Sequence, residues 1–173
     1  MASVEKGVSL APFNPTTDTG QQVALKLFHL TCYDSLFDLG CGDGRLLLKA
    51  AKSVDGLLCT GIEYNDDFAN RAKQNIENES DDLKSRIRII SQDVARCEHL
   101  ITLEATAVFL YLLPEGLIII KPILEKVRKK PNSRIVSYLF SIPEWEPDEI
   151  GRSKANLPVF LYRSKHVVNP DPI

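Results

Sequence analysis

The chain has 173 residues, which is enough for one domain of ordinary size and too few for two. Hydrophobic residues make up 44% and charged residues 25%, a balance that excludes a disordered or fibrous chain. Lys and Arg total 21 against 23 Asp and Glu, so a net charge of −2 gives no overall electrostatic attraction to nucleic acid.

Cellular location is constrained by what the sequence lacks. The longest apolar run, near residues 105–113, is less than half the length that crosses a bilayer. The N-terminal residues lack the apolar core of a secretory signal and the arginines of a mitochondrial presequence. The cysteines form no C-x-x-C pair, which favours free thiols over a metal site: Cys32, Cys41, Cys59 and Cys97. We therefore expect a cytoplasmic monomer with no membrane span and no metal.

Along the chain, residues 1–19 are predicted to form an irregular lead-in, because Ser, Thr, Pro and Asn are frequent there. Residues 20–173 are predicted to form a single domain. Its first helix, running to about Leu30, has apolar residues at helical spacing and Thr17, Asp18 or Thr19 as its cap.

Apolar runs and amphipathic stretches alternate through the rest of the chain. The predicted strands are 35–39, 57–62, 87–90, 106–112, 134–140 and 158–163, the last after a loop rich in Pro, Glu and Asp. The predicted helices include 45–53, one capped by Asn65, and a turn near 94–100. Pro122 is expected to divide the next crossover into two short helices. This alternation predicts an α/β fold with a mainly parallel sheet.

A glycine-rich turn follows the first strand, where residues 37–45 read Phe-Asp-Leu-Gly-Cys-Gly-Asp-Gly-Arg. Glycines at alternate positions let the backbone turn tightly and approach a ligand, and the next helix offers free N–H groups to an anion. The preceding Asp38 and the G-x-G-x-G spacing argue against a plain turn and against a nicotinamide-dependent enzyme. Cys41 within the turn is interpreted as a small spacer rather than a nucleophile.

Three further strands end in polar or special residues. Glu63 lies 19 residues after Gly44, at a spacing suited to hydrogen bonds with ribose hydroxyls. Asp93 follows the third strand, and Tyr111-Leu-Leu-Pro114 follows the fourth. Ligands of open α/β sheets bind outside the carboxyl ends of the strands, so these residues predict one pocket.

The order of these motifs, over about residues 12–165, resembles that of class I S-adenosylmethionine-dependent methyltransferases. More narrowly, residues 12–16, 37–45, 110–115 and 145–148 resemble a small subfamily of lysine methyltransferases. That subfamily includes the enzyme acting on the ATP synthase c subunit, together with compact prokaryotic relatives. The resemblance implies a Rossmann-like fold with helices on both faces and an antiparallel last strand. It also implies S-adenosylmethionine as cofactor, S-adenosylhomocysteine as product, and a protein substrate with an accessible lysine.

The resemblance further implies which residues bind the cofactor. Those holding its methionine end lie in the glycine turn: Asp38, Gly40, Cys41 and Gly42. Glu63 binds the ribose hydroxyls, and Tyr64 or a neighbour packs on the adenine. Asp93 accepts a hydrogen bond from the adenine amino group, helped by the backbone of Val94. Leu110 begins the floor beneath the methyl group.

The acceptor is implied to arrive at the end of the fourth strand, where Tyr111, Leu112 and Pro114 are the catalytic candidates. A lysine must lose a proton whose unperturbed pKa is about 10.4, and burial beside Tyr111 would lower that pKa. Enzymes acting on amide or nucleobase nitrogens commonly carry an Asn-Pro-Pro-Tyr motif here, which this chain lacks. The alternatives are a small-molecule or RNA methyltransferase on the same fold and a cofactor-binding module without catalysis.

Three segments near the motifs have two interpretations each. The basic run 126–130 is interpreted as helix-end cations rather than an RNA-binding patch. Trp145 is either a wall facing the substrate or an anchor of its loop. Residues 13–17 are predicted to form a lid over the methyl donor, with a frayed terminus as the alternative.

Overall fold

The structure, a computed structural model, describes residues 16–165. In this part of the chain seven strands form one sheet: β1 Ser35–Leu39, β2 Leu58–Glu63, β3 Ile87–Ser91, β4 Ala107–Leu110, β5 Arg134–Tyr138, β6 Glu149–Arg152 and β7 Pro158–Arg163. The α-helices of the same residues are α1 Asp18–Phe28, α2 Arg45–Ser53, α3 Asp66–Glu77, α4 Asp81–Arg86, α5 Glu98–Glu104 and α6 Pro114–Arg128. A 3-10 turn, Val94–Cys97, precedes α5.

The strand order is β3-β2-β1-β4-β5-β7-β6. Strands β1 to β5 pair in parallel, whereas β7 runs antiparallel to both β5 and β6. The predicted Rossmann-like fold with an antiparallel last strand is therefore confirmed. The order reverses direction between β1 and β4, and in such sheets the ligand crevice opens at that point, outside the carboxyl ends.

Helices cover both faces of the sheet. On one face, Ala24 and Phe28 of α1 and Leu47 of α2 join a core with Phe109 and Val136. On the other face, α5 and α6 pack on the alternate residues of the same strands, which include Phe37, Leu39, Val108 and Leu110. Strand β4 is thus buried on both faces, as its uninterrupted apolar sequence predicts.

The expected break at Pro122 is wrong, because α6 runs through it as one helix. Leu117 and Ile120 before the proline, and Leu124 after it, bury the same side of the helix. Pro122 itself is exposed, so the hydrogen bond it cannot make is lost on the solvent side. Continuous packing on the core side offsets the cost of the proline.

Other boundaries also differ from expectation. The helix α1 begins at Asp18, inside the predicted lead-in, because the Thr17 side chain caps it by accepting a hydrogen bond from Gly20 N–H at 3.1 Å. Helix α4 was not predicted, and the 3-10 turn with α5 continues four residues beyond the turn expected at 94–100. Strand β6 lies in the segment predicted as loop, where pairing with β7 holds it extended.

Candidate functional site

The glycine turn joins β1 to α2 at the carboxyl edge of the sheet. Gly40, Gly42 and Gly44 have φ values of 86°, 55° and 78°, in the left-handed region that glycine adopts without strain. The N–H groups of Gly40 and Cys41 donate to the Ile62 carbonyl at 2.8 and 3.1 Å. The turn is therefore fastened to the end of β2, the strand that carries Glu63.

Glu63 is held in place by two backbone donors. Its Oε2 atom accepts a hydrogen bond from Gly42 N–H at 2.8 Å, and its Oε1 atom accepts one from Asn65 N–H at 2.9 Å. The carboxylate thus bridges the glycine turn after β1 and the loop after β2. Each carboxylate oxygen has about two acceptor sites, so both oxygens retain capacity for a ligand hydroxyl.

Asp38 is a buried acid at the base of this site, with only 4% of its surface exposed. Burial, followed by the charges of Glu63 and Asp43, raises the pKa of Asp38 to about 8. Asp43 has the opposite shift, since hydrogen bonds from Arg45 lower its pKa despite partial burial. At neutral pH Asp38 is therefore mostly protonated, and a cation placed beside it would favour its carboxylate form.

Gly61 is a site-shaping residue that sequence reasoning did not assign. A Cβ at this position would lie 2.5 Å from Cys41 Sγ and 2.7 Å from Leu47 Cδ1. The signal available in the sequence was a glycine in the interior of a strand, which often marks close approach of another segment. Burial and the nearby carboxylates raise the pKa of the Cys41 thiol, which suits the interpretation of Cys41 as a spacer.

The end of β3 lies beside the end of β2. Gln92 N–H donates to the Glu63 carbonyl at 3.0 Å, which ties the two strand ends together. Asp93 caps the 3-10 turn, since its Oδ1 accepts a hydrogen bond from Ala95 N–H at 2.9 Å. Val94 is buried, and Tyr64 is half-buried directly after Glu63. The structure thus brings Glu63, Tyr64 and Asp93 to one edge.

Leu110, the last residue of β4, and the residues that follow it separate into two groups. Leu110 and Leu112 are buried, and Leu112 Cδ2 lies 3.5 Å from the position of a Cβ on Gly40. The Tyr111 ring is half-buried and meets the Tyr138 ring edge-on, with centroids 4.9 Å apart. Pro114 is exposed and is the first residue of α6. Leu112 therefore lies against the glycine turn, whereas Pro114 faces outward.

Tyr138, at the end of β5, is a second residue that sequence reasoning did not assign. Its hydroxyl is 3.2 Å from Thr17 Oγ1, and a Cβ on Gly20 would lie 2.5 Å from its Cε2. The start of α1 is thereby packed on the carboxyl end of β5 and, through Tyr138, next to Tyr111. Of the predicted lid at 13–17, Thr16 and Thr17 are described, and the remainder lies outside the described residues.

Three of the four cations in the basic run at the end of α6 are engaged within the fold. Lys126 forms an ion pair with Glu98 of α5. Arg128 Nε donates to the Arg163 carbonyl at 2.9 Å, and Lys130 Nζ donates to the Leu103 carbonyl at 3.1 Å. Lys129 is exposed. Lys126 and Arg128 lie in the last turn of α6, which agrees with the interpretation as helix-end cations.

Trp145 anchors its loop. Its ring lies 4.5 Å from the Arg128 guanidinium and meets the Tyr162 ring with centroids 5.6 Å apart. Tyr162 pairs with Ile135 near the amino end of β5, away from the carboxyl edge. The alternative, a wall facing the substrate, is therefore not supported.

Residues 16–165 contain no group of three or more His, Cys, Asp or Glu side chains placed to hold a metal ion. Across the same residues, none of the helices has the length and apolar character needed to span a membrane. All four cysteines are free thiols.

The chain is similar in sequence to known methyltransferases. A family profile described as the ANTKMT methyltransferase domain matches residues 38–149. A protein-lysine N-methyltransferase of Saccharolobus islandicus (strain REY15A) is 33% identical over 154 residues, covering 87% of this chain and 92% of the relative.

Solved structures show the same fold. The crystal structure of an RNA methyltransferase from Salinibacter ruber with S-adenosyl-L-homocysteine has a TM-score of 0.79 at 28% identity, covering 91% of this chain and 98% of that one. A precorrin-6y C5,15-methyltransferase from Geobacter metallireducens has a TM-score of 0.67 at 15% identity, covering 90% and 94%, and supports the fold alone. With the profile matching more than half of its length, the chain belongs to the ANTKMT methyltransferase domain family.

Proposed function

We propose that the protein transfers a methyl group from S-adenosylmethionine to a lysine side chain of a protein substrate. The observation that carries the cofactor assignment is the Glu63 carboxylate, fixed by Gly42 and Asn65 beside a turn of left-handed glycines. This arrangement fits a ribose, whose hydroxyls need an acceptor, and an amino-acid end that approaches the backbone closely. When bound, S-adenosylmethionine supplies a methyl group already activated on a sulfonium.

Each predicted cofactor residue has a role in this proposal. The methionine end is held by the turn formed by Asp38, Gly40, Cys41 and Gly42. Glu63 accepts hydrogen bonds from the ribose, and Tyr64 packs on the adenine. Asp93 accepts from the adenine amino group while Val94 donates through its backbone. The support for these roles is that β1, β2 and β3 bring all of these residues to one edge of the sheet.

The acceptor is proposed to enter beside Tyr111, over the floor formed by Leu110 and Leu112 and next to Pro114. Burial against the Tyr111 ring disfavours the charged ammonium, which lowers the pKa of an incoming lysine and produces the neutral amine that attacks. The Tyr111 ring is itself positioned by its edge-on contact with the Tyr138 ring. Because the methyl group arrives activated, the task of these residues is to position the amine and exclude water.

A protein lysine is favoured over RNA by the charges at this edge. The carboxylates near the carboxyl ends of the strands attract a cation and repel phosphates: Glu63, Asp66, Asp67, Asp93 and Glu115. Of the basic run that could have bound phosphates, Lys126 is engaged with α5 and Arg128 with β7. The Saccharolobus relative, named for lysine methylation, supports the same acceptor, whereas the Salinibacter structure makes RNA an outcome to be tested.

Glu63→Ala tests the cofactor site. Loss of hydrogen bonds to a charged group costs about 1.5–3 kcal/mol, so the Kd for S-adenosylmethionine should rise about 10- to 150-fold in calorimetry. Glu77→Ala, on the exposed face of α3, is the matched control and should bind normally. Unchanged affinity in Glu63→Ala would remove this residue from the site.

The acceptor is tested by incubating cell extract with the enzyme and radiolabelled S-adenosylmethionine. Mass spectrometry of the labelled band should locate the methyl group on lysine. Label recovered only in RNA or in a metabolite would contradict the lysine assignment and leave the methyltransferase assignment intact.

We also propose that residues 13–17 close over the cofactor as a lid and that the protein works as a cytoplasmic monomer. The contact between Thr17 and Tyr138 supports the lid, since it brings Thr17 to the carboxyl edge of the sheet. The four free thiols support a reducing compartment. Sedimentation velocity and fractionation of cells test the monomer and its location.

A further inference from the structure

The outward side of α6 carries an apolar surface that the fold does not use. Ile118 is 60% exposed, Ile119 is 50% exposed and Leu113 is 37% exposed. Pro114 and Pro122 are exposed on the same side, four residues before and after Ile118. We call these five residues the α6 apolar face: Leu113, Pro114, Ile118, Ile119 and Pro122.

Neither the core nor helix formation requires Ile118, Ile119 or Pro122, whereas Pro114 is favourable as the first residue of the helix. The core is filled from the opposite side of α6, where Leu117, Ile120 and Leu124 are fully buried. Exposed helix positions are better served by Ala, Glu or Lys than by isoleucine or proline. Pro122 also lacks the N–H that would pair with the Ile118 carbonyl, which leaves a backbone acceptor in the middle of the apolar surface. Exposed apolar patches rimmed by polar residues mark interaction sites.

The α6 apolar face is continuous with the proposed acceptor entrance. Leu113 and Pro114 directly follow Leu112, which lies against the glycine turn. From Pro114 the face extends to Pro122, eight residues or about 12 Å along the helix. A chain segment lying on this face would therefore end at the place where the methyl group is transferred.

The charges around the α6 apolar face indicate which kind of molecule can bind there. Lys121 is paired with Glu144, and Lys126 is paired with Glu98. Glu115 and Glu125 are exposed, and neither takes part in an ion pair within residues 16–165. Lys129, one helical turn after Glu125, is also exposed and outside the ion pairs of residues 16–165, so two carboxylates stand against one ammonium group and the unpaired charge beside the face is net negative. Two copies packed through it would bring four carboxylates and two ammonium groups together, and the net negative charge would repel anionic lipid or nucleic acid.

We propose that the α6 apolar face is a docking surface for the protein substrate, and that it binds an aliphatic segment with flanking basic residues next to the target lysine. This inference rests on the proposed lysine methyltransferase function and names the kind of segment the enzyme selects. Aliphatic side chains cover Ile118 and Ile119, basic side chains pair with Glu115 and Glu125, and a polar donor reaches the Ile118 carbonyl.

The test compares Ile118→Gln/Ile119→Gln with Leu103→Gln. Leu103 is 67% exposed and serves as the matched control, because it is equally apolar and lies on α5 rather than on α6. The probe is a fluorescein-labelled 16-residue peptide with one lysine, four leucines at helical spacing beside it, and two arginines. A second peptide replaces the leucines by serine. Binding is measured by anisotropy, methylation by mass spectrometry, and S-adenosylmethionine affinity by calorimetry.

We expect the wild-type protein and Leu103→Gln to bind the leucine peptide at least tenfold more tightly than the serine peptide. In Ile118→Gln/Ile119→Gln the preference should fall to within about twofold, with unchanged S-adenosylmethionine affinity. A preference that persists in the double variant would overturn the docking surface while leaving lysine methylation in place. Leucine-dependent binding without methyl-lysine would support the docking surface and contradict the lysine proposal.

Two other occupants are tested with the same variants. Vesicles of phosphatidylcholine and phosphatidylglycerol are sedimented with each protein, and the oligomeric state is measured by sedimentation velocity. Vesicle binding or dimerisation that disappears in the double variant would assign the face to a membrane or to a second copy and overturn the proposal. Absence of both in the wild-type protein supports it.

Discussion

Replacing Asp38 by asparagine is expected to stabilise the protein without cofactor, and to do so increasingly as the pH rises. The folded protein holds the pKa of Asp38 at about 8, against an ordinary value of 3.8. Between these pH values the folded state binds more protons than the unfolded state, so the free energy of unfolding falls as the pH rises. At 1.36 kcal/mol per pKa unit, Asp38→Asn should raise the free energy of unfolding by about 2 kcal/mol at pH 5 and by about 5 kcal/mol at pH 8. The gain should therefore grow by roughly 3–4 kcal/mol between these pH values.

Urea unfolding of the cofactor-free protein at pH 5, 6.5 and 8 measures this gain. Asp34→Asn is the matched control, because Asp34 is also a buried acid but has a shift of opposite sign. Burial raises the pKa of Asp34, yet hydrogen bonds from Thr31 and Thr106 and the charge of Arg134 hold it below its ordinary value. Asp34→Asn should therefore destabilise the protein above pH 4. A difference between Asp38→Asn and wild type that is the same at pH 5 and pH 8 would refute the reasoning.

Two further expectations concern the packing of the site and the N-terminal segment. Gly61→Ala should destabilise the protein by about 1–3 kcal/mol in thermal unfolding, because its Cβ would overlap Cys41 Sγ, and Gly61→Ala/Cys41→Ala should recover part of that loss. No recovery would show that Leu47 or Ile89, rather than Cys41, limits the space. Deleting residues 1–15 retains the Thr17 cap and all seven strands of residues 16–165, so the fold should survive while turnover falls and the cofactor dissociates faster. Normal turnover and normal cofactor affinity in the deletion variant would show that residues 1–15 do not contribute to a lid over the cofactor.

The parts of the fold that were predicted from sequence are those that local residues determine. Strand β1 was predicted at its observed bounds, and β2 within one residue, because buried parallel strands are short continuous apolar runs between turn residues. Strand β6, Glu-Ile-Gly-Arg, has no such pattern. It is extended because it pairs with β7, and that partner follows later in the chain.

The candidate site also contains both features that local sequence predicts and features that depend on distant parts of the chain. The positions of Asp38, Glu63 and Asp93 at the strand ends followed from the alternation of strands and helices together with one topological rule. The packing of Tyr138 on Thr17 and Gly20 could not be foreseen, because the two segments are 121 residues apart and no periodicity connects them. Contacts of this kind depend on the completed sheet.

The position of β7 between β5 and β6 affects how the protein is made. Strand β6 has β7 as its neighbour in the sheet, so it has no partner until the residues that follow it have left the ribosome. Until then β5 is an uncovered edge, and a nascent or prematurely terminated chain ending before Pro158 presents that edge to other chains. Strands β1 to β5 can assemble during synthesis, whereas closure of the sheet waits until β7 has been made. Messages truncated before the codon for Pro158 should therefore give products that aggregate or are degraded.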